Sequence, residues 1–216
     1  MNFKYLVIEG PIGVGKTTLA KRLAEEFQGR AMLDQPWENP HITAFYEGQA
    51  GAAFKAQLFF LAQRWLLMRE LTRQSPSPAP VISDFLLEKD RLFAYLNLND
   101  EELVIYNKLY EAMSDYLIQP DLVVYLKADV DTLLERIERR NVPMEGRIPP
   151  SYLKDLIQAY EHFFFQYQQR TRVPVLVLET EQIDFTVNGA KTDDFIKFLR
   201  FKNVTGLQYY APPARG

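Results

Sequence analysis

The stretch at positions 10–18, Gly10-Pro11-Ile12-Gly13-Val14-Gly15-Lys16-Thr17-Thr18, limits what this chain can fold into more than any other part of it. It fits the pattern Gly, four residues, Gly-Lys-Ser/Thr, a loop whose backbone amides wrap phosphate oxygens. Gly10, Gly13 and Gly15 can take backbone angles closed to other residues, which lets successive N–H groups turn inward. Lys16 brings positive charge to the outer phosphates, and the Thr17 hydroxyl can hold a magnesium ion. A helix starting at Lys16 adds the positive end of its dipole. The flanks agree. Tyr5-Leu6-Val7-Ile8 is a short apolar run, as a buried parallel strand would be. Leu19, Leu23 and Phe27 recur at helical spacing, with Ala20 and Ala24 beside them. Strand, glycine loop and helix in that order make a phosphate site, but do not say what is done with the phosphate.

At 216 residues with 47% hydrophobic side chains, the chain can bury one substantial core, and a single domain is expected over 1–203. The formal net charge of −3 gives no general attraction to nucleic acid or to an anionic membrane, so neither is expected as a partner. Without cysteine there is no disulfide, thiol nucleophile or cysteine-bound zinc, which suits a cytoplasmic setting. The first apolar run stops at Glu9, too short for a signal peptide, and no apolar stretch approaches the ~20 residues of a membrane helix.

A strand is expected at 31–33, ending on Asp34. Gln35-Pro36-Trp37-Glu38-Asn39-Pro40 is then a loop at a strand end, where open parallel sheets bind ligands. A long helix is expected over 52–73, with Phe54, Leu58, Leu61, Trp65 and Met68 as its buried stripe. Gln57 and Arg64 lie on an adjacent face, from which two polar groups could enter a cleft. The proline-rich run at 75–80 reads as an extended connection, and a third strand at 80–84 again ends on a carboxylate, Asp84. Helices are expected over 88–95, 100–117 and 130–140, a fourth strand over 121–126, and a proline- and glycine-rich loop over 141–150. A further helix, a fifth strand over 173–178 and a last helix over 192–201 follow, with a poorly ordered tail at 204–216. Strands alternating with helices imply an α/β fold: a five-stranded parallel sheet covered on both faces.

Phosphoryl transfer needs a nucleotide cradle, a metal, a base for the attacking hydroxyl and positive charge for the transition state. Asp34 and Asp84 end the strands expected to flank the first one, so both would face the loop. Arg136, Arg139, Arg140 and Arg147 cluster around the loop at about 139–149, as a lid that closes over a triphosphate and excludes water would require. The same residues have plainer readings. Strand-end aspartates are often turn formers, and arginines at a helix C-terminus often only complement its dipole. His41 and His162 are isolated and lack metal-ligand spacing, and Tyr152, Tyr167 and the phenylalanines at 163–165 read as core.

Taken together, the chain resembles the deoxynucleoside kinase family, and within it the bacterial deoxyadenosine kinase-like branch. The motifs that carry the resemblance run from position 5 to 178. They are the loop with Ile8 and Glu9 before it; Leu33-Asp34-Gln35-Pro36-Trp37-Glu38-Asn39-Pro40 running on to Phe45-Tyr46; Gln57-Leu58-Phe59-Phe60-Leu61-Ala62-Gln63-Arg64; Ser83-Asp84-Phe85 with Lys89-Asp90 and Phe93-Ala94; and the arginines from Arg136 to Glu145 with Ile148-Pro149 and Tyr152-Leu153. The resemblance implies a P-loop kinase fold and a homodimer that moves the γ-phosphoryl of ATP, with Mg2+, to the 5′-hydroxyl of a deoxynucleoside. It implies that Asp34 takes the hydroxyl proton, that Gln57 binds the base edge, and that Tyr46 and Glu145 hold the sugar 3′-hydroxyl. It also implies that Arg136, Arg139 and Arg140 form the lid, and that Asp84 joins Thr17 near the magnesium.

Two departures leave alternatives open. The family carboxylate is usually glutamate, which makes Glu38 a rival to Asp34. Many members carry arginine directly after the acidic residue at position 84, where this chain has Phe85; Arg64, Lys89 or a lid arginine would then supply the charge. A thymidylate kinase-type enzyme must bind an acceptor phosphate, and Phe85 offers it no cation. A guanine-dependent switch would need an asparagine in the segment Tyr125-Leu126-Lys127-Ala128-Asp129, which has none. The preferred base is not readable, because a glutamine can serve adenine, guanine or cytosine; the branch resemblance favours deoxyadenosine.

Overall fold

The structure is a computed structural model that describes residues 3–74, 79–114, 118–143, 145–187 and 189–210. Strand β1 (Tyr5–Glu9) leads through the glycine loop into α1 (Lys16–Glu26). Strand β2 (Arg30–Met32), a short α2 (Ile42–Tyr46), the long α3 (Ala52–Arg73) and β3 (Val81–Ser83) follow. Next come α4 (Asp90–Asn97), α5 (Asp100–Ser114), β4 (Leu122–Lys127), α6 (Val130–Arg140) and α7 (Pro150–Thr171). Strand β5 (Val175–Glu179), α8 (Ala190–Phe201) and β6 (Leu207–Tyr210) close the order.

The strands form one parallel sheet in the order β2-β3-β1-β4-β5-β6. Strand β1 is buried along its whole length because side chains alternate between two cores. Leu6 and Ile8 enter the core under α1, α6 and α8, with Leu19, Leu23, Leu133, Ile137, Phe195 and Leu199. Tyr5 and Val7 enter the core under α3 and α7, where Tyr125 and Tyr160 stack at 5.9 Å between ring centroids. Parallel strands buried on both faces read as continuous apolar runs, and this is why β1 and β4 were legible.

Several expectations need correction. The sheet has six strands rather than five. The sixth lies in the segment expected to be a disordered tail, and pairs in parallel with β5, with Val175 N donating to Gly206 O at 2.8 Å. Only Tyr210 of its residues is buried, against Phe195 and Phe198, so no apolar run marked it. Strand β2 does not flank β1; β3 lies between them. The buried stripe of α3 runs through Ala56, Gln57, Leu61, Arg64, Met68 and Leu71, while Phe54, Leu58 and Trp65 are only partly buried. The helix is rotated from its expected setting because Gln57 and Arg64 find buried carboxylate partners, which makes polar residues tolerable on the inner face. Residues 75–78, Leu117 and residues 211–216 of the expected tail lie outside the described residues. The sheet order sets the site: the carboxyl ends of β1, β3 and β2 open onto one cleft, lined from above by α3 and by the end of α6.

Candidate active site

The cleft has a volume of about 510 Å³. Its floor is the glycine loop: Ile12, Gly13, Val14, Gly15, Lys16, Thr17 and Thr18 line it, while Gly10 is not among the lining residues. Gly13 has φ +84°, and a Cβ there would lie 2.8 Å from Ile137 Cγ1. Gly15, at φ +102°, caps α1 against Phe185, so neither position accepts a side chain without strain. Lys16 Nζ donates to Gly10 O at 2.8 Å and to Pro11 O at 3.1 Å. Burial pulls its ammonium down to about 8.

Three elements bring the carboxylates together. Asp84, just past β3, accepts from Thr17 Oγ1 at 2.5 Å and from the Asp34 backbone N–H at 2.7 Å. It therefore ties the end of β2 to the phosphate loop, although β2 is not next to β1. Burial raises the Asp84 carboxyl above its ordinary value. Asp34 is gripped by Arg64 from α3, with Nε at 3.3 Å from Oδ1 and Nη2 on Oδ2. Burial pushes the Asp34 carboxyl up, but the charge and hydrogen bonds of Arg64, with Lys89 and Lys16 beyond, outweigh it and hold the group below the ordinary value of 3.8. It stays a carboxylate, an acceptor only.

Arg64 is 5% exposed and also pairs with Asp90, which is fully buried at the start of α4. Asp90 Oδ2 accepts from Gln57 Nε2 at 2.8 Å and from the Tyr106 hydroxyl at 2.6 Å. A carboxylate cannot donate, so this contact fixes the Gln57 amide: Nε2 faces Asp90, and Oε1 is the atom left for a guest in the cleft. Apolar walls come from Trp37, Ile42, Phe45 and Phe60, and the Arg64 guanidinium lies 4.8 Å over the Phe60 ring.

At the far wall Tyr46, Glu145 and Tyr152 line the cleft together. Arg140 pairs with Glu145. Burial, with the Glu145 charge nearby, raises the Tyr46 hydroxyl. Arg139 pairs with Asp184 at 3.0 Å. Arg136 is a brace rather than a free arm: it donates to Val14 O at 3.3 Å, Thr180 Oγ1 at 2.9 Å and Ile183 O at 3.1 Å, and so ties the phosphate loop to the segment after β5. For Arg147 only the backbone is described.

Two expected site residues are not brought here. Phe85 is fully buried in the core under α3 and α7, because β3 continues straight into that core. Glu38 is exposed, does not line the cleft, and accepts from Gln63 Nε2 at 3.0 Å on the outer side of α3. In the sequence Asp90 stands only within the Lys89-Asp90 motif and carries no role of its own. The wall formed by Ile183, Asp184, Phe185 and Thr186 was missed, since a short turn after an edge-side strand has no periodic pattern.

A hard-oxygen donor pair, Thr17 hydroxyl and Asp84 carboxylate, suits Mg2+, which takes few protein ligands and completes its shell with phosphate and water. No group of three or more metal-ligating acidic, histidine or cysteine side chains occurs among the described residues. No helix of the described residues is long and apolar enough to cross a membrane.

Comparison with known proteins gives one consistent result. The family profile described as Deoxynucleoside kinase matches residues 6–202. A deoxyguanosine kinase of Bacillus subtilis is 36% identical over 187 residues, covering 85% of this chain and 90% of that protein. A deoxyadenosine/deoxycytidine kinase of the same organism is 29% identical, covering 83% of each. Among solved structures, a deoxyadenosine kinase from M. mycoides, with products dCMP and a flexible dCDP bound, superposes with a TM-score of 0.74 at 22% identity, covering 91% of this chain and 96% of that one.

Proposed function

This chain belongs to the deoxynucleoside kinase family, and from that membership we propose that it moves the γ-phosphoryl of ATP to the 5′-hydroxyl of a purine deoxynucleoside. The observation that carries the reading is the ionised Asp34 carboxylate, set across one cleft from Lys16 and the phosphate loop. The nucleoside lies between them, with its base toward Gln57 and Arg64 and its sugar toward Tyr46 and Glu145. Asp34 accepts the 5′-hydroxyl proton while loop amides and Lys16 hold the triphosphate. Thr17 and Asp84 would hold Mg2+, which when bound neutralises phosphate charge. Arg139 and Arg140, in the last turn of α6 where the loop to α7 begins, close over the triphosphate and exclude water, while Arg136 steadies the phosphate loop beneath them.

The fixed Gln57 amide presents Oε1 to the base. That acceptor takes a donor from the edge, which the amino groups of adenine and cytosine and the N1–H and amino group of guanine all provide, so the preference for purines rests on the family likeness. The likeness to a deoxyguanosine kinase sets deoxyguanosine beside deoxyadenosine as the substrate to test first. We also take the active form to be a homodimer in the cytoplasm. Tyr95 and Leu96 on α4 and Val104, Ile105 and Leu109 on α5 make an exposed apolar face suited to a second copy.

The test is direct: incubate the protein with ATP, Mg2+ and each deoxynucleoside or deoxynucleoside 5′-monophosphate singly. Monophosphate is expected from the deoxynucleosides, purines foremost, and no diphosphate from the monophosphates. Diphosphate formed from a monophosphate, with the deoxynucleosides inert, would instead mark a kinase of the thymidylate kinase type.

A further inference from the structure

Phosphoryl transfer is speeded by cations aimed at the moving group rather than at the resting substrate. Lys16, Arg64, Lys89, Arg136, Arg139 and Arg140 line the cleft. Their partners separate them. Arg64 is committed to two carboxylates, Asp34 and Asp90. Arg136 is spent on backbone and threonine oxygens. Arg139 and Arg140 are exposed and paired with Asp184 and Glu145 at the rim. Lys16 sits on the loop itself.

Lys89 is placed differently. It is 4% exposed, at the inner end of the cleft, with its ammonium 4.6 Å over the Phe93 ring. Its carboxylate partner is Glu9, at 3.2 Å. That carboxylate is divided among several donors: it also accepts from Gly10 N at 2.7 Å, Tyr160 Oη at 3.2 Å and Leu86 N at 3.4 Å. The ammonium therefore lies across a single carboxylate from the first amide of the phosphate loop, on a partner too shared to neutralise it fully. Its charge also reaches both reacting sides, since it helps lower the Asp34 carboxyl and the Lys16 ammonium.

We propose that Lys89 is a catalytic residue whose ammonium donates to the phosphoryl group in flight between ATP and the 5′-oxygen, with Glu9 as the residue that positions it. This rests on the kinase reading above. In the step, the bond from the 5′-oxygen to the γ-phosphorus forms, and the bond from that phosphorus to the β,γ-bridging oxygen breaks. The electron pair leaves on ADP, the hydroxyl proton passes to Asp34, and Lys89 keeps its own proton throughout.

The test compares Lys89→Met, Lys89→Arg and the double variant Glu9→Gln/Lys89→Met in the full chain. The double variant matters because Lys89→Met alone leaves a buried carboxylate without its cation and can unfold the protein. For Lys89→Met, kcat is expected to fall by ~100-fold or more, with both KM values within about threefold. Arginine is expected to restore kcat to within about tenfold of wild type, because the charge returns at a displaced point. The double variant should melt near the wild-type temperature yet stay as slow as Lys89→Met. A double variant turning over within about threefold of wild type, or a loss confined to KM, overturns the assignment of Lys89. A wild type that phosphorylates no deoxynucleoside overturns the kinase reading as well, so the two failures are told apart.

Discussion

Arg64 holds both oxygens of the Asp34 carboxylate, one through Nε at 3.3 Å and the other through Nη2, and it does so from the inner face of α3, which it shares with Gln57 and with the apolar Leu61, Met68 and Leu71. The pairing has two effects. It holds the Asp34 carboxyl below its ordinary value against the upward push of burial, and it fixes both carboxylate oxygens at the wall of the cleft. Asp90 anchors the same guanidinium from behind, so base-facing and sugar-facing groups share one rigid unit.

If Asp34 is the base, Asp34→Asn should bind ATP within about threefold of wild type but lose ~100-fold or more in kcat, as removal of a general base does. Glu38→Gln should be near wild type, since Glu38 is turned to the outer face of α3. Steady-state kinetics on both variants check this. The opposite ranking would transfer the role to Glu38.

The Asp34 pairing also sets a pH limit. A carboxyl held below its ordinary value adds stability and stays ready to accept a proton above about pH 4, and both are lost as pH falls through its folded-state value. The acid limb of kcat/KM assigned to Asp34 is therefore expected below about pH 4, and Arg64→Met should move it upward. A pH–rate profile of wild type and variant, with folding monitored by circular dichroism, measures it.

Gln57→Ala should raise the deoxynucleoside KM and leave the ATP KM in place. The substitution removes the base contact and also leaves Asp90 short of a donor, at a cost of about 1–3 kcal/mol. Initial rates at varied nucleoside concentration test it, and unchanged affinity for every nucleoside would remove Gln57 from the base site.

Tyr46 and Glu145 face the cleft together, so Tyr46→Phe and Glu145→Gln should each erode the preference for sugars that carry a 3′-hydroxyl. The ratio of kcat/KM for a deoxynucleoside to that for its 2′,3′-dideoxy analogue is expected to fall in both variants. A ratio equal to that of the wild type would place sugar recognition elsewhere.

Lys16 gives the nucleotide site its own pH dependence. Burial brings its ammonium to about 8 from 10.5, so the unfolded chain binds the extra proton between those values and stability rises with pH across that window. Triphosphate oxygens favour the charged form, so binding takes up a proton once Lys16 has begun to lose it. ATP affinity should hold below about pH 8 and weaken above it, with proton uptake visible by calorimetry in buffers of different ionisation heat. Lys16→Met should abolish the uptake; an affinity flat through about pH 9 would contradict it.

How much of this was legible in the sequence follows from local signals. The glycine loop, β1 and the extent of α3 all carry periodic or motif-level patterns, and they are found where they were expected. Asp34 and Asp84 were readable as strand-end carboxylates, but the hydrogen bond that joins them, from Asp34 N to Asp84, needed the sheet order. The rotation of α3 was not readable, because hydrophobicity alone puts Trp65 inside and Arg64 outside. Only the carboxylates of Asp34 and Asp90, distant in sequence, reverse that preference. Strand β6 was hidden for the converse reason: on an edge, with exposed Tyr209 and part-buried Leu207 and Gln208, it lacks the run that marks an inner strand.

The most direct measurement is a structure of the protein with a purine deoxynucleoside and a non-hydrolysable ATP analogue. The 5′-oxygen is expected within hydrogen-bond reach of the Asp34 carboxylate, about 3 Å, and in line with the terminal phosphorus held over Lys16. A nucleoside bound with its 5′-oxygen turned away from position 34, or an Asp34 carboxylate facing out of the cleft, would contradict the proposed transfer.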